Sequence, residues 1–551
     1  MKKVIIPLVL LLVCALVISG CASATTTTPP TTSAAASPTI QAPTSSPTIK
    51  PPTTTAAASP TAQPPTSAAA SAKPKSGGTF RFISYTADTS PGGWPADVGV
   101  QGSLAYEGLL RQQANGDLTP WLATSWDIAQ DHSSVVFHLR KGVKFTDGTD
   151  FNAAAVKFNF DAQKANKKAP DWGNIEVIDD YTLKVNIAHW GPTTMLTFGD
   201  SGTSPIASPT AYQKNGIDWI RQNPVGTGAF MLNKFTRDAE TDYIKNPNYW
   251  QPGKPYLDAY NNVIITDPVT QEAAMQAKEG DATMCELGKM TADFQKMGLK
   301  VDSAVQAILT LVPDTADADS PWSNQMVREA TEYAIDKDAI AASLGYGLWM
   351  APYQIPPRGN PVWDPNLPIM RKYDVNKAKQ LMAQAGYPSG FKTSIIPFPG
   401  AASKDATMAV AGYLAQIGIQ AEPQFVDIGK YFAFSTDGWG NGLMFHPVPA
   451  YTWYIQTLNS IFGPVDTTLF FKKGWARSPA FTAALQAANN VTTPDVALTR
   501  AVCDLMDTEA SVVPVHEGGK SYAYQSYVKD AGFLTRGFAN FFNPENIWLD
   551  K

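Results

Sequence analysis

Cysteine is scarce. The chain has four in 551 residues, and two of these, Cys14 and Cys21, fall at the very start. Cys285 and Cys503 lie too far apart in sequence to form a disulfide framework. Both read as small buried hydrophobes, so the fold has to be held by its own core. Basic charge is also in short supply. Five of the 43 Lys and Arg (Lys2, Lys3, Lys50, Lys73 and Lys75) precede Gly77, and no acid does, which leaves 38 basic against 48 acidic residues, or −10, beyond it. That balance excludes nucleic acid as the partner. The five histidines include no HxxxH or Cys-His cluster, which argues against a dedicated metal cage. Beyond the first twenty residues no apolar run is long enough to cross a bilayer.

The first twenty residues have the layout of a secretory signal. Lys2 and Lys3 open it, Val4 to Val17 form an apolar core interrupted by Pro7, and Ile18-Ser19-Gly20 supply small residues before Cys21. The site resembles the lipobox of bacterial lipoproteins, with Ile18 in the usual leucine place, and implies a lipidated Cys21 as first mature residue. Residues 22–77 are nearly all Thr, Pro, Ala and Ser, with no aromatic and no acid. Such a segment cannot bury enough surface to offset its ordering entropy. As a flexible coil it spans about 40 Å, enough to tether a body to a membrane.

The body from Gly78 is longer than one core usually serves, so at least two lobes are expected. Gly78 to Ile83, Val135 to Leu139 and Tyr181 to Ile187 read as strands. Asn152 caps a helix through Val156 and Phe160. Further helices are predicted from Ser323, from Asp374 (closing at Gly386) and from Ser403 with a stripe of Met408, Ala411, Leu414 and Ile417. The last feeds a strand over Ile419 to Val426. Helix and strand alternate as in an α/β lobe.

LRKGVKFTDGTDFNAAAVKFNF, from Leu139 to Phe160, closely resembles a signature of the family 5 solute-binding proteins of ABC importers. Five more blocks follow that family's order: YEGLL at Tyr106, NPVGTGAF at Asn223, KNPNYWQPGKPYLD at Lys245, VREATEYAIDKDAI at Val327 and YDVNKAKQLMAQAGYPSGF at Tyr373. The resemblance implies an α/β, two-lobe periplasmic-binding-protein-like fold of the large, peptide-binding class II type, with a cleft between lobes. Signal peptide 1–20 and linker 21–77 would precede lobe I at 78–312, rejoined by 516–551, and lobe II at 313–515. The crossings would fall near Leu311 to Asp314 and Val513 to Glu517. Most motif residues are expected to maintain the fold.

The implied function is extracytoplasmic capture of an oligo- or dipeptide and delivery to importer permease subunits. The protein would be a monomer, anchored to the membrane by its lipid, with no cofactor and no catalytic role. Oligosaccharide or metal-chelate capture is the first alternative, and a sensor for a signalling partner the second. Peptide-binding relatives hold the ligand's amine with an aspartate shortly after a tryptophan. Here Trp439 stands in place, but Gly442 or Leu443 occupies the aspartate position, and no acid occurs between Asp437 and Asp466. The ligand-contact candidates are aromatic: Trp439, Phe445 and Tyr454, with Trp349, Tyr85 and Trp94 outside that stretch. His446 is a candidate ligand for a metal complex. Gly199-Asp200-Ser201-Gly202 reproduces a serine-nucleophile tetrapeptide, but His132, His138 and His189 lack the surroundings a triad needs. Gly519-Lys520-Ser521 fails as a phosphate loop because Pro514 stands where the motif needs glycine.

Overall fold

The computed structural model describes residues 73–85, 91–95, 102–167, 169, 171–199, 205–286, 288–534 and 542–551. The signal, Cys21 and most of the tether lie outside the described residues, as do Asp200, Ser201 and Gly202.

Strand β1 (Thr79–Ser84) forms where the turn glycines predict it, burying Phe80 and Phe82. A short hairpin follows, β2 (Leu110–Gln112) with β3 (Leu118–Pro120). Strands β4 (Ala123–Ile128), β5 (Ser134–Leu139), β6 (Trp172–Asp179) and β7 (Thr182–Ile187) make an antiparallel sheet in the order β4-β5-β7-β6. Alternating side chains of β5 and β7 bury one face. Against it packs the helix Ala153–Ala165, capped by Asn152, whose side-chain oxygen accepts from the Ala155 N–H at 2.9 Å. Trp172 and Phe198 stack within this core, ring centroids 4.7 Å apart.

The main sheet uses β1 and nine further strands. These are β8 (Phe230–Thr236), β9 (Glu240–Lys245), β10 (Ala259–Ile264), β11 (Ala282–Glu286), β12 (Lys300–Pro313), β13 (Lys392–Pro397), β14 (Gln420–Pro423), β15 (Gly442–Pro449) and β16 (Val513–Tyr524). Their order is β14-β13-β15-β12-β16-β11-β1-β10-β9-β8. The two longest, β12 and β16, pair antiparallel from Lys300 opposite Tyr524 to Leu311 opposite Val513. The core changes along them. Tyr522 packs with Phe80 and Tyr260, whereas Leu309, Leu311, Val513 and Val515 pack with Val327 and Leu414. The body is therefore a two-lobe mixed α/β structure whose lobes share these two strands.

The helix starts of the second lobe follow local capping chemistry with two adjustments. Asp374 accepts from the N–H groups of Asn376 and Lys377, and Ser403 from Ala406, as predicted. Ser323 does not cap its helix. A 3₁₀ turn at Pro321–Ser323 delays the start by one residue, and Asn324 accepts from Met326 N–H at 2.9 Å. The helix Lys404–Ala415 buries Ala406, Thr407, Val410 and Leu414; of the predicted stripe Leu414 and Ile417 are buried and Ala411 packs against that core, whereas Met408 is exposed. The following strand is also shorter than predicted, since pairing with β13 ends at Pro423.

Three of the sequence blocks meet at one buried carboxylate. Glu107 of YEGLL accepts from Trp121 Nε1 (2.8 Å) and the Tyr249 hydroxyl (2.9 Å) on one oxygen. The other oxygen accepts from the Thr227 hydroxyl (2.8 Å) and Trp250 Nε1 (2.9 Å). Burial pushes the Glu107 carboxyl up, and the donors and Arg111 oppose that shift. In the second lobe Arg328 donates to the carbonyls of Trp322, Ser323, Glu509 and Ala510, locking its helix to the end of the helix Val496–Thr508. Cys285 and Cys503 are both buried and unpaired with each other, and burial pushes the Cys285 thiol up to about 12. No helix among the described residues is long and apolar enough to cross a membrane.

Candidate functional site

Where β12 and β16 pass from one core to the other, their pairing is irregular, with a register shift between Val305 and Ala307. Gly518 and Gly519 lie opposite this shift. A Cβ on Gly519 would overlap the Ala304 carbonyl, and one on Gly518 would meet the Leu309 side chain at 2.7 Å. At Gly519 a side chain is excluded by close backbone approach, and at Gly518 by the Leu309 methyl. Above this bare stretch lies a cavity of about 560 Å³, within the usual range for small-ligand sites.

Both lobes build its walls. Tyr85, at the end of β1, and Glu286, at the end of β11, come from one side. Trp349, the turn Phe398–Ser403 and Pro447 and Pro449 of β15 come from the other. The floor carries Gln306 and Leu309 of β12 and His516 and Lys520 of β16. The turn at 398–403 is held by Ala402 N–H donating to the Phe398 carbonyl at 3.1 Å, just before Ser403 caps its helix.

The cavity is largely apolar, which makes its charged groups informative. The Tyr85 hydroxyl donates to Glu286 Oε1 at 2.7 Å. Burial pushes the Glu286 carboxyl up, while that hydrogen bond and the field of Lys520 pull it down. Burial pushes the Lys520 ammonium down, opposed by Glu286. His516 is buried, with its Nδ1 at 3.1 Å from the Glu517 carbonyl oxygen. A carbonyl only accepts, so Nδ1 carries the proton and Nε2 has the lone pair. Desolvation pushes this imidazole down to about 4, so it is neutral near pH 7.

Of the six aromatic candidates, the structure brings Tyr85 and Trp349 to the cavity. The other four do not line it. Trp439 is 3 % exposed and meets Phe471 edge-on at 5.5 Å. Tyr454 is 1 % exposed and donates its hydroxyl to the Ile355 carbonyl at 2.8 Å. Phe445 is buried with its ring edge-on to His516, so it backs the cavity wall. Trp94 is buried against Phe158, rings stacked at 5.9 Å. His446 is likewise internal. Its Nδ1 pairs with the Tyr431 hydroxyl at 2.9 Å, and burial pushes it down to about 3. Among the described residues no group of three or more His, Cys, Asp and Glu is placed to hold a metal ion.

The missing aspartate has a steric explanation. A Cβ on Gly442 would lie 2.9 Å from both Ser394 Oγ and the Trp439 carbonyl oxygen, so no side chain fits there. Leu443 is fully buried. Asp437 is exposed and 3.9 Å from Lys473 Nζ. None of the three lines the cavity. Sequence reasoning missed Glu286, Gln306, His516 and Lys520. Their signal was faint: a single acid ending the buried run ATMCE, and one lysine after two glycines.

Residues 117–460, more than half of the chain, match the family model described as bacterial extracellular solute-binding proteins, family 5 middle. Heme-binding protein A of Haemophilus influenzae is 29 % identical over 418 residues, covering 67 % of this chain and 75 % of that protein. Glutathione-binding protein GsiB of Escherichia coli is 31 % identical over 341 residues, covering 59 % of this chain and 64 % of the relative, a little under two thirds of its length. In structure, the chain is similar to the ABC transporter-associated periplasmic binding protein DppA from Helicobacter pylori in complex with the peptide STSA. The TM-score is 0.74 at 24 % identity, over 87 % of this chain and 99 % of that one.

Proposed function

The chain belongs to the bacterial extracellular solute-binding proteins of family 5, and from that premise we propose that it captures a small peptide-like ligand and delivers it to the membrane subunits of an ABC importer. The observation that carries this reading is the 560 Å³ cavity walled by both lobes over the two strands they share. Lobe I comprises 78–312 with 516–551, and lobe II 313–515. A ligand touching Tyr85 and Glu286 on one side and Trp349 on the other stabilises the closed arrangement over the open one, and that difference drives closure.

The relatives are named for glutathione and heme, and the structural neighbour holds a tetrapeptide. A peptide-class ligand suits a cavity with one carboxylate and one ammonium on an apolar wall. A metal chelate is the second reading, supported by the unprotonated Nε2 of His516 at the cavity floor. Cys21 carries the lipid, and the Thr/Pro segment holds the body near its importer. Native mass spectrometry of the full chain, purified from membranes in detergent, tests the reading. A retained peptide or amino-acid conjugate is the expected result; a retained metal complex or sugar would replace it.

A further inference from the structure

Strands β1 and β11 run parallel and pair at Phe82 with Ala282 and at Ile83 with Thr283, so both end at the cavity and set Tyr85 beside Glu286. The Tyr85 hydroxyl donates to one Glu286 oxygen at 2.7 Å, and this is the carboxylate's single hydrogen bond among the described residues. No cationic side chain among them forms an ion pair with it; Lys520, its cross-strand neighbour on β16, acts on it through its field. A carboxylate offers about four lone-pair sites, so most of its accepting capacity is open. The group is nonetheless part-buried, and burial opposes its charge.

Much of what surrounds this carboxylate is apolar. Leu309 of β12, Phe398, and Pro447 and Pro449 of β15 line the same cavity. The Trp349 indole reaches from lobe II to 3.7 Å from where a Cβ on Gly288 would stand, two residues beyond Glu286. A part-buried carboxylate on such a wall is stabilised by a cation that donates hydrogen bonds to it. We infer that Glu286, oriented by Tyr85, anchors a primary ammonium group at one end of an otherwise apolar ligand. The ammonium donates to the oxygen that Tyr85 leaves open, and the apolar body lies against Trp349 and the prolines of β15.

The inference rests on the reading of this cavity as the ligand site, and it adds which end of the ligand is read and from which lobe. Tyr85 and Glu286 both belong to lobe I, so the ammonium engages that lobe without help from lobe II. Closure then brings Trp349 onto the apolar body. A ligand without a cationic nitrogen leaves the carboxylate enclosed with the Tyr85 hydroxyl as its hydrogen-bond donor, and that penalises closure.

Isothermal titration calorimetry of the full chain with L-leucyl-L-leucine and with N-acetyl-L-leucyl-L-leucine tests this, since acetylation removes the ammonium and keeps the apolar body. The free amine is expected to bind at least about tenfold tighter, the scale of a hydrogen bond to a charged group. That preference should vanish in Glu286→Gln, which keeps the shape and removes the charge. 3-Methylbutylamine matching the free peptide would identify simple amines as the source of the ammonium, and weaker binding would identify peptide amino termini; both support the inference. The comparison of the two peptides uses the unaltered chain, so it stands even where the variant fails to fold. If neither peptide binds, the small molecule that the chain retains decides: a primary amine, shown by reductive methylation, supports the inference, and its absence overturns it. Equal affinities for the two peptides, or an undiminished preference in Glu286→Gln, also overturn it and leave the receptor reading intact. A chain that takes up no small molecule overturns both.

Discussion

Trp349 lies flat on His516, with ring centroids 3.7 Å apart and planes 8° from parallel. The stack joins a side chain that follows a lobe II helix to the strand shared by both lobes, and it covers the imidazole at the cavity floor. Offset or stacked aromatic pairs contribute about 0.5–1.5 kcal/mol beyond their area. Trp349→Ala is expected to lower ligand affinity about tenfold, equivalent to about 1.4 kcal/mol. The check is the fraction of the chain carrying its retained ligand in native mass spectra; an unchanged fraction would count against contact at Trp349.

Trp439→Ala should behave differently, since that ring sits in the lobe II core with Phe471 and against Gly474. Removing it opens a cavity and costs about 3–5 kcal/mol of stability. Urea denaturation monitored by circular dichroism reads this as a lowered midpoint.

Glu107→Ala leaves four donors, two of them buried and two part-buried, without their acceptor. The expected loss is on the order of 3–5 kcal/mol, as for breaking a buried charged cluster from one side. The same denaturation series checks it, and a loss below about 1 kcal/mol would sink the structural role assigned to this carboxylate.

Two hydrogen bonds join the segments 78–312 and 313–515: Trp190 Nε1 donates to the Thr492 carbonyl at 2.9 Å, and the Thr452 hydroxyl donates to the Ala114 carbonyl at 2.9 Å. Trp190→Phe keeps the ring and removes the donor. A hydrogen bond of this kind contributes about 0.5–1.5 kcal/mol, so ligand release should accelerate by up to about tenfold. Stopped-flow measurement of the off-rate after dilution tests this, and an unchanged rate would mean the contact does not hold the lobes together.

Acid should destabilise the body through its two buried imidazoles. His516 and His446 are pushed down to about 4 and about 3, whereas an unfolded histidine titrates near 6.5. Between those values the unfolded chain binds more protons, so this stability is complete above pH 6.5 and is lost as pH falls toward 4. Glu107 and Asp507, pushed up by burial, act in the opposite sense. Comparison of His446→Phe with the parent protein isolates the imidazole: its melting temperature should fall less steeply from pH 7 to pH 4.

Much of the fold was legible in the sequence, because helix caps and turn glycines act within a few residues. Asn152, Asp374 and Ser403 cap where predicted. Ser323 yielded to Asn324 because Pro321 starts a 3₁₀ turn first. Met408 marks a limit of periodicity in the helix Lys404–Ala415: its apolar residues lie on more than one side, and packing kept Leu414 and Ile417 of the predicted stripe but chose Val410 over Met408.

The candidate site was far less legible. Aromatic residues around β15 suggested a binding surface, but β15 is a central strand between β12 and β13, and both of its faces are covered. Phe445 and Met444 accordingly enter two different cores. By itself the sequence determined the family blocks, the secondary-structure starts, the acidic balance and the absence of an acid near position 442. The tertiary structure alone decided which groups line the cavity. Glu286 and Lys520 are 234 positions apart and become neighbours only through strand pairing, an interaction of backbone groups that leaves no periodic trace in the side chains it brings together.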